Sequence, residues 1–428
     1  MARRPTSWLL LAWLALPAAA AAQGTADCST VGQVGYVRDV MRDIYYWYRE
    51  LPAPAPARFD SPEAYLEAVR YRPLDTSFSY ITAAASDQAY YGDSQYVGLG
   101  LSTRFASEDE LRVSQVFPDT PASEAGLERG ARILSVGGRA VGDWVRAGQA
   151  GDIFGSSEIG VAVDLVFRRS DGREVSAQLV KRLVTIPTVS HTAVFEVEGR
   201  RVGYVGFRNF VNPSFAALAA AFGQLRAQGA DELVLDLRYN GGGLVSVAQY
   251  LSDLIGGPRA LGQLFCRFQH NDKNSFRNQD LFFGQQAEAL DLKRVTVITT
   301  RASASASELV INGLRPFMDV KVVGDTTYGK PVGQYSFNFC GKVLHPVAFS
   351  LRNALGQGDY FGGIPADCAA EDDLEHQLAD PNEASLREAL YVTVRGACSS
   401  GSKSLVLRGV RRALPVRRDA WQELVGAY

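Results

Sequence analysis

The chain has 428 residues, enough for two or three domains, and 46% of them are hydrophobic, enough to fill real cores. A formal net charge of −2 supplies no bulk positive field, so nucleic acid is not expected as a partner. Five cysteines without a Cys-x-x-Cys pair, and no Cys/His cluster, point away from a metal centre.

Arg3 and Arg4, an apolar stretch over residues 8–16 and the small residues Ala18 to Ala22 follow one another in the order of a secretory signal peptide. The stretch is too short to favour a membrane span, and cleavage is expected after about Ala22. An exported, periplasmic protein with no stable membrane span follows from that reading; an uncleaved anchor is its competitor. No lipobox precedes Cys28. Export permits disulfides, and chain order alone suggests Cys368 with Cys398 and Cys266 with Cys340, leaving Cys28 unpaired.

Over residues 32–51, Val37, Val40, Met41, Ile44, Trp47, Tyr48 and Leu51 recur at helical spacing, and the aromatic run 45–48 reads as packing. A Pro/Ala linker leads to Ser61-Pro62-Glu63, an N-cap followed by proline at the first helical position, which predicts a second helix. From residue 96 to about 182 the pattern becomes short strands with glycine turns. Val97-Gly98-Leu99-Gly100-Leu101, the alternating run 111–116, the segment 121–127 and Ile133 to Gly138 resemble, in that order, a PDZ domain. The loop of Gly98, Leu99, Gly100 and Leu101 offers consecutive N–H groups to a peptide carboxylate, and the strand edge beside it accepts the peptide as an extra strand. The competing reading is a small β-domain with a tight glycine turn. A hairpin of 164–167 and 175–180 closes this region.

Beyond Pro187, strands and helices alternate, which argues for an α/β core. Strand 202–207, an Ala-rich helix over 213–228 and strand 232–237 lead into Asp236-Leu237-Arg238-Tyr239-Asn240-Gly241-Gly242-Gly243. A polar, aromatic stretch, 265–278, reads as a loop or hairpin. A β-branched run, 295–298, then meets the small residues 303–307, which open a helix over 308–314 that Pro316 stops. A second buried strand, 320–323, and a turn, 324–329, deliver Lys330. Residues 360–367 and a last helix, 384–390, close the core. Arg411, Arg412, Arg417 and Arg418 read as a solvated basic tail.

A serine at a strand-to-helix turn exposes its hydroxyl beside free helical N–H groups that can hold an oxyanion. It needs a base, and none of His191, His270, His345 and His376 stands in a motif, nor does a Gly-x-Ser-x-Gly elbow occur. A lysine serves if desolvation lowers its pKa from ~10.4 toward ~7, a shift of about 4 kcal/mol. Lys330, among Tyr328, Gly329, Pro331 and Val332, is the candidate.

Ser303-Ala304-Ser305-Ala306-Ser307-Glu308, followed by Thr327-Tyr328-Gly329-Lys330 and Gln334, resembles the carboxyl-terminal processing proteases of peptidase family S41, and the Asp236–Gly243 run carries the same mark. The resemblance implies Ser305 as nucleophile, Lys330, 25 positions on, as its base, and Gln334 as the residue that orients the lysine. It also implies an oxyanion hole from the N–H groups of Gly242 and Ala306. Pro316 stands where some members carry an acidic residue, so that auxiliary role has no support here.

The implied architecture is multidomain α/β. A small N-terminal helical region (28–90) precedes a PDZ β-domain with short helices (91–185), an α/β S41 protease core with a βαβ active-site unit (186–398) and a C-terminal tail (399–428). The implied activity is that of an exported serine endopeptidase cutting proteins near their C-termini, with the PDZ domain engaging the substrate C-terminus. Its partners are proteins or peptides with accessible C-termini, and it needs no metal or organic cofactor. Two rivals stay open: an inactive peptide- or ligand-binding protein on the same scaffold, and an esterase or amidase for small substrates. Oligomeric state is left undetermined.

Overall fold

Four parallel strands, Arg200–Phe207, Glu232–Asp236, Arg294–Thr299 and Asp319–Gly324, lie side by side in that order at the centre of the computed structural model. The structure describes residues 27–402 and 420–428; the expected signal sequence and the four tail arginines lie outside them. Val189–Val197 adds antiparallel at one edge of this six-stranded sheet and Cys368–Ala369 adds parallel at the other.

Alternate residues of the strands enter two different cores. Val205, Phe207, Leu233, Leu235, Val295, Val297 and Val322 face one side, with residues of the helices Ser214–Ala227, Val245–Ala260 and Ala306–Leu314. Val202, Tyr204, Val234, Ile298 and Val323 face the other, against Leu386, Ala389 and Leu390 of Ala384–Arg395. Two covered faces explain why these strands read as unbroken apolar runs. The carboxyl ends of three neighbouring strands open onto residues 237–243, 300–305 and 325–330, the edge where open α/β sheets bind ligands.

The first expected helix divides. Thr30–Ile44 is helical, but Tyr45 turns extended, and Tyr46 N–H donates to Val347 O at 2.8 Å instead of continuing the helix. Tyr45 is driven inward, where its hydroxyl donates to buried Asp75 at 2.9 Å. Pro62–Val69 forms as expected, with Ser61 Oγ accepting from Ala64 N–H. Leu264–His270 pairs antiparallel with Gln279–Phe282, so the polar, aromatic stretch is a hairpin in a second, four-stranded sheet. That sheet ends on Val332–Gln334 and so carries Gln334.

One cysteine expectation is corrected. Cys368 bonds Cys398 as expected, but Cys340 bonds Cys28, with Cα atoms 5.5 Å apart, and Cys266 is the free thiol. Cys266 points into the core beneath the central sheet, whereas Cys340 sits at a hairpin turn beside the start of the first helix. Chain order carries no information about that proximity.

Residues 95–185 form a separate β-unit. Leu101–Ser107, Glu110–Val116, Arg132–Val136, Ala162–Arg168 and Glu174–Val180, with the short Arg139–Ala140 paired to the third of them, make a six-stranded antiparallel sheet around Leu99, Leu101, Phe105, Val113, Ile133 and Phe167. Leu101–Ser107 is its edge strand. The unit meets the core through Asp372, whose carboxylate is approached by Arg129 at 2.8 Å, by Arg238 and Arg104 at 3.3 Å, and by the Tyr239 hydroxyl. Burial alone would push this carboxyl upward; the three guanidinium groups more than reverse that and hold it well below the usual carboxylate range.

An acid whose folded-state pKa is depressed contributes stability that is present above its unfolded value, near ~3.9, and is lost as pH falls toward the folded one. Asp372→Asn should therefore lower stability at neutral pH by about 3–5 kcal/mol, the usual cost of breaking a buried charge cluster, and should flatten the acid limb of stability below about pH 4. Urea unfolding across pH checks both, and an unchanged midpoint and acid limb would contradict the clamp.

Candidate active site

The serine triplet resolves into one available hydroxyl and two structural ones. Ser303 Oγ donates to Leu237 O at 2.7 Å and Ser307 Oγ to Asn240 O at 2.9 Å, both fully buried. They tie the serine loop to the segment leaving the neighbouring strand. Ser305 alone is partly open to solvent. It precedes helix Ala306–Leu314 with φ 55° and ψ −111°, a conformation rarely adopted by residues with a side chain and costing about 1–3 kcal/mol.

What holds that conformation is the buried carboxylate of Glu308, one turn into the helix. Its Oε2 accepts from Ser305 N–H and from Lys330 N–H, each at 2.8 Å; its Oε1 accepts from Gly329 N–H at 2.7 Å and Thr327 Oγ1 at 2.6 Å. One oxygen thus binds the main chain of both residues, so their amide nitrogens lie no farther apart than twice that distance. Burial pushes the carboxyl above the usual range and the four donors oppose it. Ser-x-x-Glu spacing is a capping-box signature, the one sequence signal that marks Glu308 for this task.

The lysine side chain is aimed by a second relay. Lys330 Nζ donates to Gln334 Oε1 at 2.7 Å, and Gln334 Nε2 donates to Phe78 O at 2.6 Å and His345 O at 2.9 Å. With two carbonyls fixing the amide nitrogen, the amide oxygen must face the lysine. Either an ammonium or an amine can donate to it, and an amine keeps its lone pair. The Phe78 ring centroid lies 5.7 Å from Nζ. All four histidine rings are engaged elsewhere: His345 with Asp87 and Ser336, His270 with Asn278 and Tyr335, His376 with Asp373, His191 with Ser190.

The glycine run lies against the serine. A Cβ on Gly242, at φ +103°, would fall 2.8 Å from Ser305 Cβ and 3.0 Å from Ala306 N, so only glycine fits. Gly242 N–H donates to Asn240 Oδ1 at 2.9 Å, while Ala306 N–H has no hydrogen-bond partner among the described residues. Asn240 also accepts from Ala304 N–H and donates to Phe207 O, which makes it the pin between the two loops. Ser305, Ala306, Lys330, Gln334 and Gly242 therefore share one site, and Glu308, Asn240, Phe78 and His345 support it. Gly98, Leu99, Gly100 and Leu101 lie apart, at the edge of the β-unit.

Residues 33–80 match the family model for the peptidase S41 N-terminal domain and residues 201–350 that for peptidase family S41. A carboxyl-terminal-processing protease of Synechocystis is 27% identical over 56% of this chain, and the carboxy-terminal processing protease CtpB of Bacillus subtilis 26% identical over 64%. The chain spans about half the length of these relatives, 54% and 58%. Among solved structures, a candidate S41 protease from Bacteroides fragilis superimposes with a TM-score of 0.69 at 27% identity, covering 84% of this chain and 97% of that one.

Glu308→Gln leaves one acceptor oxygen facing four donors, so at least two bonds to a charged group are lost, each of about 1.5–3 kcal/mol. Stability should fall by about 3 kcal/mol or more, and turnover by at least ~100-fold as the two main chains drift apart. Urea unfolding and steady-state turnover measure these, and wild-type values for both would remove Glu308 from its place.

Proposed function

We propose that this chain, which carries a peptidase family S41 domain behind an S41 N-terminal domain, is an exported serine endopeptidase with a Ser305/Lys330 dyad. The observation that carries the reading is the shared Glu308 carboxylate, which binds the main chain at both Ser305 and Lys330. A binding protein has no use for a serine held at positive φ beside a lysine whose head is aimed by a purpose-oriented amide.

In the mechanism, Ser305 Oγ attacks the scissile carbonyl while neutral Lys330 takes the hydroxyl proton. An acyl-enzyme forms, and Lys330 returns the proton to the leaving amine. Water, deprotonated by the same lysine, then attacks the acyl carbon, and Lys330 passes that proton to Ser305 Oγ as the bond to the acyl product breaks. Gln334 keeps Nζ in place throughout. Ala306 N–H at the helix start holds the oxyanion, joined by Gly242 N–H once it turns from Asn240 Oδ1. The β-unit, read as a PDZ domain over residues 91–185, engages a substrate's C-terminus at Gly98–Leu101, so that cleavage falls near the chain end. Proteins or peptides with accessible C-termini are the substrates; the chemistry asks for no metal or organic cofactor.

Ser305→Ala should abolish peptide-bond cleavage of a casein-like substrate with folding intact. Ser303→Ala and Ser307→Ala should stay active and lose about 1 kcal/mol of stability for the missing hydrogen bond. Cleavage by Ser305→Ala would sink the assignment.

Lys330→Arg and Lys330→Ala should both be inactive, because a guanidinium cannot supply a neutral amine at any working pH. A purely structural lysine would tolerate arginine, so turnover by Lys330→Arg decides against a general base.

A further inference from the structure

Tyr428 lies against the start of the edge strand Leu101–Ser107, and Gly426 is held beside it. Tyr428 N–H donates to Leu101 O at 2.7 Å and Leu101 N–H donates back to Tyr428 O at 3.1 Å, the reciprocal exchange of an antiparallel pair. Gly100 N–H and the Tyr96 hydroxyl also donate to Tyr428 O, at 2.8 and 3.0 Å, so three donors converge on one main-chain oxygen. One residue pair earlier, Ser102 Oγ donates to Gly426 O at 2.6 Å. The Tyr428 ring packs on the β-unit's core, 4.6 Å from the Phe154 ring. A Cβ on Gly98 would come within 2.6 Å of the Tyr428 carbonyl carbon, so the approach depends on glycine.

The segment is clasped from the core side as well. Arg208, 3% exposed, donates to Val425 O at 2.8 Å and to Gly426 O at 3.0 Å, and its Nη1 has no hydrogen-bond partner among the described residues. Removing the segment would strip this buried cation of two acceptors and leave it Gln115 Oε1 at 3.2 Å, with no carboxylate ion-paired to it among the described residues, a cost that favours replacement by another peptide over simple opening. Arg208 is two residues from Phe210, whose N–H donates to Gly242 O.

We propose that residues 426–428 are a built-in ligand of the β-unit's groove, and that the groove's targets are peptides of the same pattern, two small residues followed by an aromatic one, which must displace this segment to bind. The inference rests on reading the β-unit as a peptide-binding module. The occupant's Gly426, Ala427 and Tyr428 supply the specificity: small residues let the segment lie close, and the ring fills the space beside Phe154. The resting enzyme then carries a competitor at high local concentration, and only peptides matching this pattern engage it efficiently.

The test compares the full chain, a form lacking residues 426–428, and the point variant Tyr428→Asp, all in a Ser305→Ala background so that the probe is not cut. The probe is a fluorescent octapeptide of residues 421–428 with a free carboxylate; companions end in Asp or in an amide. Polarisation should show the shortened chain and Tyr428→Asp binding the probe at least ten-fold more tightly than the full chain, and both companions at least ten-fold more weakly than the probe. Equal affinity of the full and altered chains would overturn the built-in ligand. Indifference to the aromatic end would overturn the specificity, with the peptide-binding reading left standing. Failure of the shortened chain and of Tyr428→Asp to bind any of the peptides would overturn that reading along with the proposal. A full-chain affinity that falls as protein concentration rises would place the segment on a second copy and overturn occupancy within one chain.

Discussion

The site depends on one carboxylate that is out of reach of solvent. Glu308 is fully buried yet receives four hydrogen bonds, three of them from main-chain N–H groups that cannot be supplied by a rearranged side chain. In a low-dielectric interior such bonds are strong, and each unmade one leaves an orphaned donor. The carboxylate therefore does more than cap its helix. It welds the turn after one parallel strand to the turn after the next, and it holds Ser305 in a conformation the residue would otherwise leave.

That weld works because the sheet has already brought the turns together. Parallel pairing puts the carboxyl ends of Glu232–Asp236, Arg294–Thr299 and Asp319–Gly324 along one edge, in adjacent positions. Asn240 then joins the first loop to the second, as Glu308 joins the second to the third. The lysine's aim comes from a different layer: Gln334 belongs to the four-stranded sheet, and its amide is oriented by carbonyls of Phe78 and His345. Phe78 lies within the match to the S41 N-terminal domain, so that region takes part in the site through the Phe78 carbonyl and the ring that lies 5.7 Å from Lys330 Nζ.

The β-unit is held to the core by charge instead of by apolar area alone. Asp372 gathers arginines from both sides, Arg104 and Arg129 from the β-unit and Arg238 from the core, and with all but Arg104 buried, loss of a member leaves uncompensated charge in the interior. Arg208 plays the parallel part at the docked segment 425–426, with carbonyls as its partners. The two clasps differ in kind. A carboxylate cannot be exchanged for another peptide, whereas a pair of main-chain carbonyls can.

By itself the sequence determined the period and therefore the layers. Apolar runs bounded by glycine and small residues dictate parallel strands covered on both faces, Ser61-Pro62 dictates a helix start, and the resemblance of the serine and lysine motifs singles out Ser305, Lys330 and Gln334, the last two of which bond to each other. What it left undecided turns on contacts distant in the chain. Cys28 meets Cys340 across 312 positions, the first helix breaks at Tyr45 because Asp75 takes the Tyr45 hydroxyl and Val347 O the Tyr46 N–H, and Glu308 reads as an ordinary first-turn acid until Lys330 arrives above it. Residues 425–428 show the same limit most plainly. In sequence they are a short apolar stretch after a basic one, and only the tertiary structure sets Tyr428 against the start of an edge strand and Val425 against Arg208.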